Sequence, residues 1–580
     1  MKPLRSLLFT TLAGLAGCSV QYDASDGVGP SNTCSDDDQC AGAAVCRSGV
    51  CVTTEADLEG LLVEVRPHAA ASYGATTSFM FDPSSKFSLV TPAGNTEPFA
   101  VGYDLALPAL VPIAGASARL GDDFTLPAGC NLPDRSVPAR VTFYRVPPYV
   151  GLPFTPTAVT TTQTATGYTF DTELPADTYD IYVEPQAIPG CNDGLPFPPV
   201  FFPHQTINSG GALVWELSTP GQLTGTITGF SSIIAADWTV DLVEPTRGLP
   251  ISTDATLTQT KGGFSVTAQI SWHDKATPIL RLRPPEGSGK PTVYWSLVTG
   301  TGGSQDNPVV SFSVADLVTE PVDVGGQILS DGAGSPATLS IQSASLLGTD
   351  AQNAAYSVDG LATDDKGAFE VRLPPGKYDV RAFPTDTSLA VTTWSLEVPA
   401  DVTGCYCGKG FTLEPKRELS GDAATAAGKA VWSASVSLTP SQAASASYWD
   451  DTHYLATVSS RASSAVTGQD GGFRLPVDPG GGGSDLVIQP GEGSNFPWFV
   501  RPRVVVHDSA SLGVLKLTSP AILTGKATDP TGAPVANADV NAWFPVRKPG
   551  GKGKVGTVVL IGTVTTDSDG GYTLVLPSQI

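Results

Sequence analysis

Two landmarks recur along this chain with nearly the same period, and they constrain its fold more than any other feature. Each copy opens on a proline followed a few residues later by a glycine in a short apolar stretch. The five are "PIAGASARL" with Gly115, "PGQLTGTIT" with Gly225, "PVDVGGQIL" with Gly326, "PKRELSGDA" with Gly421 and "PAILTGKAT" with Gly525. Successive glycines lie 110, 101, 95 and 104 residues apart. Later in each copy a glycine precedes an aromatic residue, Tyr168, Phe264, Phe369, Phe473 or Tyr572, at spacings of 96, 105, 104 and 99. Two independent landmarks that keep one period mean tandem copies of one domain.

The local pattern says what that domain is made of. In "GAFEVRLPPGKYDVRAFP" the alternation Phe369, Val371, Leu373 turns one face inward, Pro374-Pro375-Gly376 makes a turn, and Tyr378, Val380 and Ala382 resume it, which reads as a hairpin. With 62 glycines, 49 prolines and only 15% charged residues, the composition favours strands broken by turns over helices. The fold class expected is therefore all-β, a row of antiparallel β-sandwiches. The boundaries fall at 112–219, 220–320, 321–414, 415–519 and 520–580. Residues 58–111, with the strand-like runs "LLVEVRP" and "TSFMFDP", lack the opening signature and read as an irregular β-rich unit.

The last copy, with Leu523-Thr524-Gly525, "DPTGAPVANADV" and "DSDGGYTLVLP", resembles the carboxypeptidase regulatory-like domain. That resemblance implies a transthyretin-like (prealbumin-like) sandwich, a fold shared with some starch-binding modules and adhesin stalk repeats. The 321–414 copy resembles it well and the other three more loosely. Stalk repeats of that kind often carry a Lys–Asn bond. Lys526 lies in a first strand, but the expected Asn belongs to a closing strand that this unit lacks, so no such bond is expected. Copies such as "KYDVRAFP" and "TYDIYVEP" continue into a further strand where the last one does not. Either the chain is cut short there, or the unit leaves an open sheet edge for a partner strand.

The N-terminus reads as an address. Lys2 and Arg5 precede the apolar run Leu7 to Ala16, which closes on Leu15-Ala16-Gly17-Cys18. This resembles a bacterial lipobox, which implies removal of residues 1–17, acylation of Cys18 and anchoring in a lipid bilayer by several acyl chains. Ser19 after the cysteine resembles the outer-membrane sorting signal. The expected location is the cell envelope, with the chain lipid-anchored to the outer membrane and either periplasmic or surface-exposed.

Eight further cysteines suit an oxidising compartment. Cys34, Cys40, Cys46 and Cys51 are spaced x5, x5, x4 within the 18–57 linker and resemble small dickkopf-type modules. No C-x2-C spacing or neighbouring histidine supports a zinc site there. Cys130 and Cys191 are expected to pair. Cys405 and Cys407 enclose a loop too short for an easy bridge, and their pairing stays open.

The sequence carries none of the common catalytic signatures. His68, His204, His273, His453 and His507 are scattered, without an H-E-x-x-H or related zinc motif, and there is no G-x-S-x-G elbow or phosphate loop. No enzyme activity, cofactor or metal is expected. The net charge of −23 argues against nucleic acid as a partner. Asp567-x-Asp569-Gly570 resembles a metal loop, but the other copies keep the glycine and aromatic and not the acids, so it reads as a hairpin turn. Two weaker binding candidates remain. One is "YWDDTHY", where Tyr448, Trp449 and Tyr454 offer stacking faces and Asp450, Asp451 and His453 offer hydrogen bonds, a set suited to polysaccharide. The other is the basic loop Arg547, Lys548, Lys552 and Lys554, suited to anions. The expected function is a non-catalytic, anchored rod that adheres or scaffolds other envelope proteins. The alternative is a carbohydrate-binding protein with sites on the sandwich loops, and an enzyme with a cryptic site ranks last.

Overall fold

The computed structural model describes residues 34–39, 45–47, 50–52, 60–68, 77–80, 100–122, 125–126, 130, 132–146, 156–186, 197–217, 219–228, 238–256, 258–260, 263–270, 278–296, 302–303, 308–313, 320–346, 354–441, 461–479, 483–491, 493–547 and 555–580. The leader with Cys18, Cys40, Cys191 and the whole of Tyr448 to Tyr454 lie outside the described residues. So do His273, Lys548, Lys552 and Lys554.

The chain is all-β: among the described residues every regular element is a strand or a three-residue 3-10 turn. The unit from 321 shows the plan. Its first strand, Val322–Ser330, lies between Ala368–Leu373, antiparallel, and Cys405–Thr412, parallel. A second sheet runs Ser357–Ala362, Ala337–Leu346, Gly376–Pro384, Thr392–Val398. The two inner faces enclose Val324, Ile328, Leu339, Ile341, Phe369, Leu373, Tyr378 and Val380, all buried. The same arrangement, with its one parallel pair, recurs at Leu110–Leu120 against Val214–Leu217, Gly221–Thr228 against Pro308–Ser313, and Arg417–Thr425 against Ala510–Leu517.

The two sequence landmarks meet in this plan. Gly326, Gly421 and Gly525 lie directly opposite Phe369, Phe473 and Tyr572 across the first antiparallel pair. A Cβ on Gly326 would stand 2.7 Å from the Phe369 ring, and one on Gly525 would stand 2.0 Å from the Tyr103 carbonyl oxygen. In these three copies the aromatic ring and the parallel strand both occupy the glycine's side-chain space, whereas Gly115, at φ +65°, has open space around it and Gly225 lies opposite Val266. Tyr179 and Tyr378, each four residues after a proline, donate their hydroxyls to Pro175 O at 2.8 Å and Pro374 O at 2.5 Å. This fixes the turn between the sheets, and burial pushes both phenols well above their ordinary range.

The last unit is completed by the beginning of the chain. Its own strands are Pro520–Thr528, Ala538–Arg547, Val555–Thr565 and Gly571–Pro577. Leu62–Pro67 pairs antiparallel with Ala538–Arg547 and carries Thr77–Met80 on its far side. Ala100–Gly102 and Leu105–Ala106 run parallel to Pro520–Thr528, where the closing strand stands in the other units. The strands of 58–111 thus pair into the 520–580 sandwich instead of forming a unit among themselves, and the open edge expected there is occupied. The physical reason is the shared alternation: "VEVRP" at 63–67 repeats the apolar spacing and final proline of "IYVEP" at 181–185 and "VRAFP" at 380–384. Leu61, Val63, Val65, Leu105 and Leu107 join Leu523, Val540, Ile561, Leu574 and Leu576 in one core.

Near the N-terminus, Val45–Arg47 and Val50–Val52 form a two-stranded ribbon with Cys46 opposite Cys51. Cys34 is bonded to Cys46, and Cys405 to Cys407. Cys51 and Cys130 are also disulfide-bonded.

Candidate functional site

Three features of the described residues stand out as places where the fold meets something outside a single unit: the joints between units, a cleft at one joint, and the composite last unit.

At the first joint, Arg247 places Nε and Nη2 at 3.0 and 2.8 Å from one oxygen of Asp180 in the preceding unit. Asp180 is buried and also accepts the His204 backbone N–H at 3.0 Å. The Arg247 guanidinium lies 4.8 Å above the Tyr144 ring, and Tyr182 donates to Pro250 O at 2.9 Å. Beside them Glu244 accepts backbone N–H groups from Thr246, Arg247 and Leu249. Burial still raises its carboxyl above the ordinary range, because desolvation outweighs those bonds.

The next two joints use different means. Thr292–Ser296 of one unit pairs with Ala354–Ala355 of the following one, so a sheet passes across the boundary. Lys290, itself buried, reaches Glu320 at 3.0 Å. At the third joint Asp478, buried, accepts Val391 N–H of the preceding unit at 2.9 Å while Arg461 binds both it and Leu389 O. The fourth joint is apolar: Val500, Val487 and Trp498 pack onto the core of the last unit.

The sheet crossing at the second joint leaves a cleft of about 970 Å³, lined among others by Arg283, Lys290, Asp323, Tyr356, Arg372 and Cys405. Arg372 and Asp323 meet inside it, while Lys290 and Arg283 reach acids outside its lining. Arg372 pairs with Asp323 at 3.3 Å, Lys290 with Glu320, and Arg283 with Asp254 at 2.5 Å.

In the composite unit, Glu64 is buried on the strand Leu62–Pro67 and receives the Trp543 indole N–H at 3.0 Å and the Asn541 amide at 3.4 Å, with Arg66 at 3.1 Å. Tyr103 N–H donates to Thr524 O at 2.7 Å and Leu107 N–H to Thr528 O at 2.8 Å. Lys526 N–H donates to the Asp104 carboxylate at 3.0 Å, and Tyr572 OH to Tyr103 O at 2.5 Å. His68 meets Asp539 at 2.7 Å on the surface.

The turn at Asp567 is held by its own backbone, though it joins strands of different sheets and not the two arms of a hairpin. Its Oδ1 accepts the backbone N–H groups of Asp569 at 2.9 Å and Gly571 at 2.7 Å, as Asp364 does for Lys366 and Ala368 in the third unit. The remaining buried acids are bound likewise: Asp241 by Arg281, and Asp485 by Ser441 and the Arg503 N–H. Sequence reasoning missed Glu64, Asp180, Arg247, Asp478 and Arg461. The proline-ended alternation at 63–67 was a signal for the first. The others meet partners 67 to 87 residues away, which no local pattern marks.

No family model matches the chain, and no curated protein matches it. Solved structures do. A streptococcal ancillary pilin is 11% identical, over 52% of this chain and 99% of its own, with a TM-score of 0.19. The shaft pilin SpaA of Lactobacillus rhamnosus GG is 10% identical over 34% of this chain and 98% of its own, with a TM-score of 0.16. BcpA, the major pilin subunit of Bacillus cereus, is 9% identical over 53% and 99%, with a TM-score of 0.12. At such scores nothing about this chain is drawn from them.

Proposed function

We propose that the chain is a non-catalytic scaffold of the cell envelope, anchored through acylated Cys18, whose sandwiches hold an adhesive or protein-binding surface in a set geometry. The observation that supports this is the clamping of successive units. The buried Asp180 bound by Arg247, the buried Asp478 bound to Val391 N–H across the third joint, a shared sheet at Thr292 and Ala355, and an apolar joint at Val500 restrain each boundary. Flexible tandem domains joined by bare linkers would not need them. Each of the six buried carboxylates among the described residues, Glu64, Asp180, Asp241, Glu244, Asp478 and Asp485, is spent on such structural bonds. A carboxylate engaged in this way is not free to act as a general acid or base.

The test has two arms. Incorporation of an alkyne-bearing fatty acid, lost in Cys18→Ala, is expected for the anchor, and equal labelling of the two sinks it. Protease treatment of intact cells is expected to remove the chain, whereas full resistance would leave a periplasmic scaffold and end the adhesive reading.

A further inference from the structure

The last unit is a sandwich divided between the two ends of one chain, and neither part is complete alone. Its acceptor part, from 520, contributes the first four strands in the order used by every other unit. Its donor part, 61–107, contributes the rest. The donor buries Leu61, Leu62, Val63, Val65, Leu105 and Leu107 almost completely. Each such side chain would return to water if the donor left the acceptor. Without the donor, Val540 and Ala542 and the edges of Pro520–Thr528 and Ala538–Arg547 would face solvent as unpaired strand edges.

Donor and acceptor are joined through four intervening units whose boundaries are clamped, so closure within one chain depends on how those clamps add up. The hinges are short. Leu107 is still bonded to the acceptor while the next unit begins its strand at Leu110, and Thr518 and Ser519 alone link Leu517 to Pro520. Short hinges between packed units favour exchange of an element between copies over closure on themselves. Since donor and acceptor are different surfaces at opposite ends, exchange adds copies head to tail and repeats.

We infer that the acceptor in the last unit takes the 61–107 segment of a second copy of this chain, linking copies end to end through the same contacts. The bonds are unchanged: Glu64 still receives the Trp543 indole N–H, and Tyr103 still receives the Tyr572 hydroxyl. What decides between closure and linkage is the local concentration of the second copy against the effective concentration of the chain's own donor. The inference does not rest on the anchor or on adhesion.

The test uses the full chain. One preparation carries Val63→Cys, another Ala542→Cys, residues that face each other across the pair. The two are mixed at high concentration under an oxidising glutathione couple. A disulfide-linked dimer of twice the chain mass, lost when Val65→Asp is added to the first preparation, is the expected result. The double variant reports whether the bond can form inside one chain. Its closure as a monomer, with no dimer from the mixture, overturns the inference. As a measure free of introduced cysteines, light scattering of the unaltered chain is expected to rise from one chain mass toward multiples with concentration, and a constant single-chain mass also overturns it.

Discussion

The indole N–H of Trp543 donates to the buried carboxylate of Glu64 at 3.0 Å, across 479 residues of chain. That bond joins the strand Leu62–Pro67 to Ala538–Arg547 and makes one sandwich from two distant segments. It is therefore a probe of whether the last unit is assembled.

Trp543→Phe removes a donor from a carboxylate that is 1% exposed. The expected cost is about 1–3 kcal/mol, confined to the last unit. Denaturation followed by hydrogen exchange should show an earlier opening of residues 538–547 with no change at 417–425, and an equal shift in both would refute the assignment.

Val65→Asp places a charge in the core between Leu523 and Val540. Slow-exchanging amides in 520–577 are expected to vanish while those of 322–412 persist. Retained protection in 520–577 would mean that the unit stands without its N-terminal strands.

Gly525→Ala and Gly532→Ala separate two uses of glycine. At Gly525 an added Cβ meets the Tyr103 carbonyl oxygen, so the parallel strand Ala100–Gly102 must move, at a cost of about 1–3 kcal/mol. At Gly532, with φ +85° and open space around it, only the turn is strained, by about 1 kcal/mol. Amide exchange in 100–107 should rise in the first variant alone.

Arg247→Met leaves Asp180 buried with one backbone donor. The loss expected is on the order of 3 kcal/mol at the first joint. Adding Asp180→Asn should recover most of it, and additive losses in the double variant would show that the two residues do not act as a pair.

Asp529 accepts the Thr531 hydroxyl at 2.7 Å and the N–H groups of Thr531 and Ala533. The Thr531 hydroxyl, with those amides, holds its carboxyl below the ordinary range. A lowered folded value means that the turn is supported above the unfolded carboxyl's range and loses that support as pH falls through the folded value. NMR titration should place Asp529 below a free aspartate, with Thr531 and Ala533 amide shifts following it. In Asp529→Asn those amide shifts should no longer change over that range.

What could be read from the residues alone was local or periodic. The spacing of Gly326 from Gly421 and of Phe369 from Phe473 exposed the repeat, and the structure explains both by one contact. Alternation at Val371, Leu373, Val380 and Ala382 foretold the strands but not their pairing: the expected hairpin is a crossover, with Ala368–Leu373 in one sheet and Gly376–Pro384 in the other. The ownership of 58–111 was not legible, because strand pairing between residue 63 and residue 542 leaves no mark on either segment beyond a fitting alternation. The clamps were equally silent: an arginine at 247 and an aspartate at 180 look like ordinary surface charges until two units bury them together.

The divided last unit also has a consequence in time. During synthesis residues 61–107 emerge before 520–577, with their apolar side chains, and must wait for the four intervening units before their partners exist. Four sandwiches fold in that interval while these strands remain available to aggregate or to be held. A prematurely terminated chain, however well its middle has folded, keeps that apolar segment unsatisfied. The composite unit in this sense certifies that translation has passed residue 577, and proteases that seek exposed apolar strands can discard whatever lacks it.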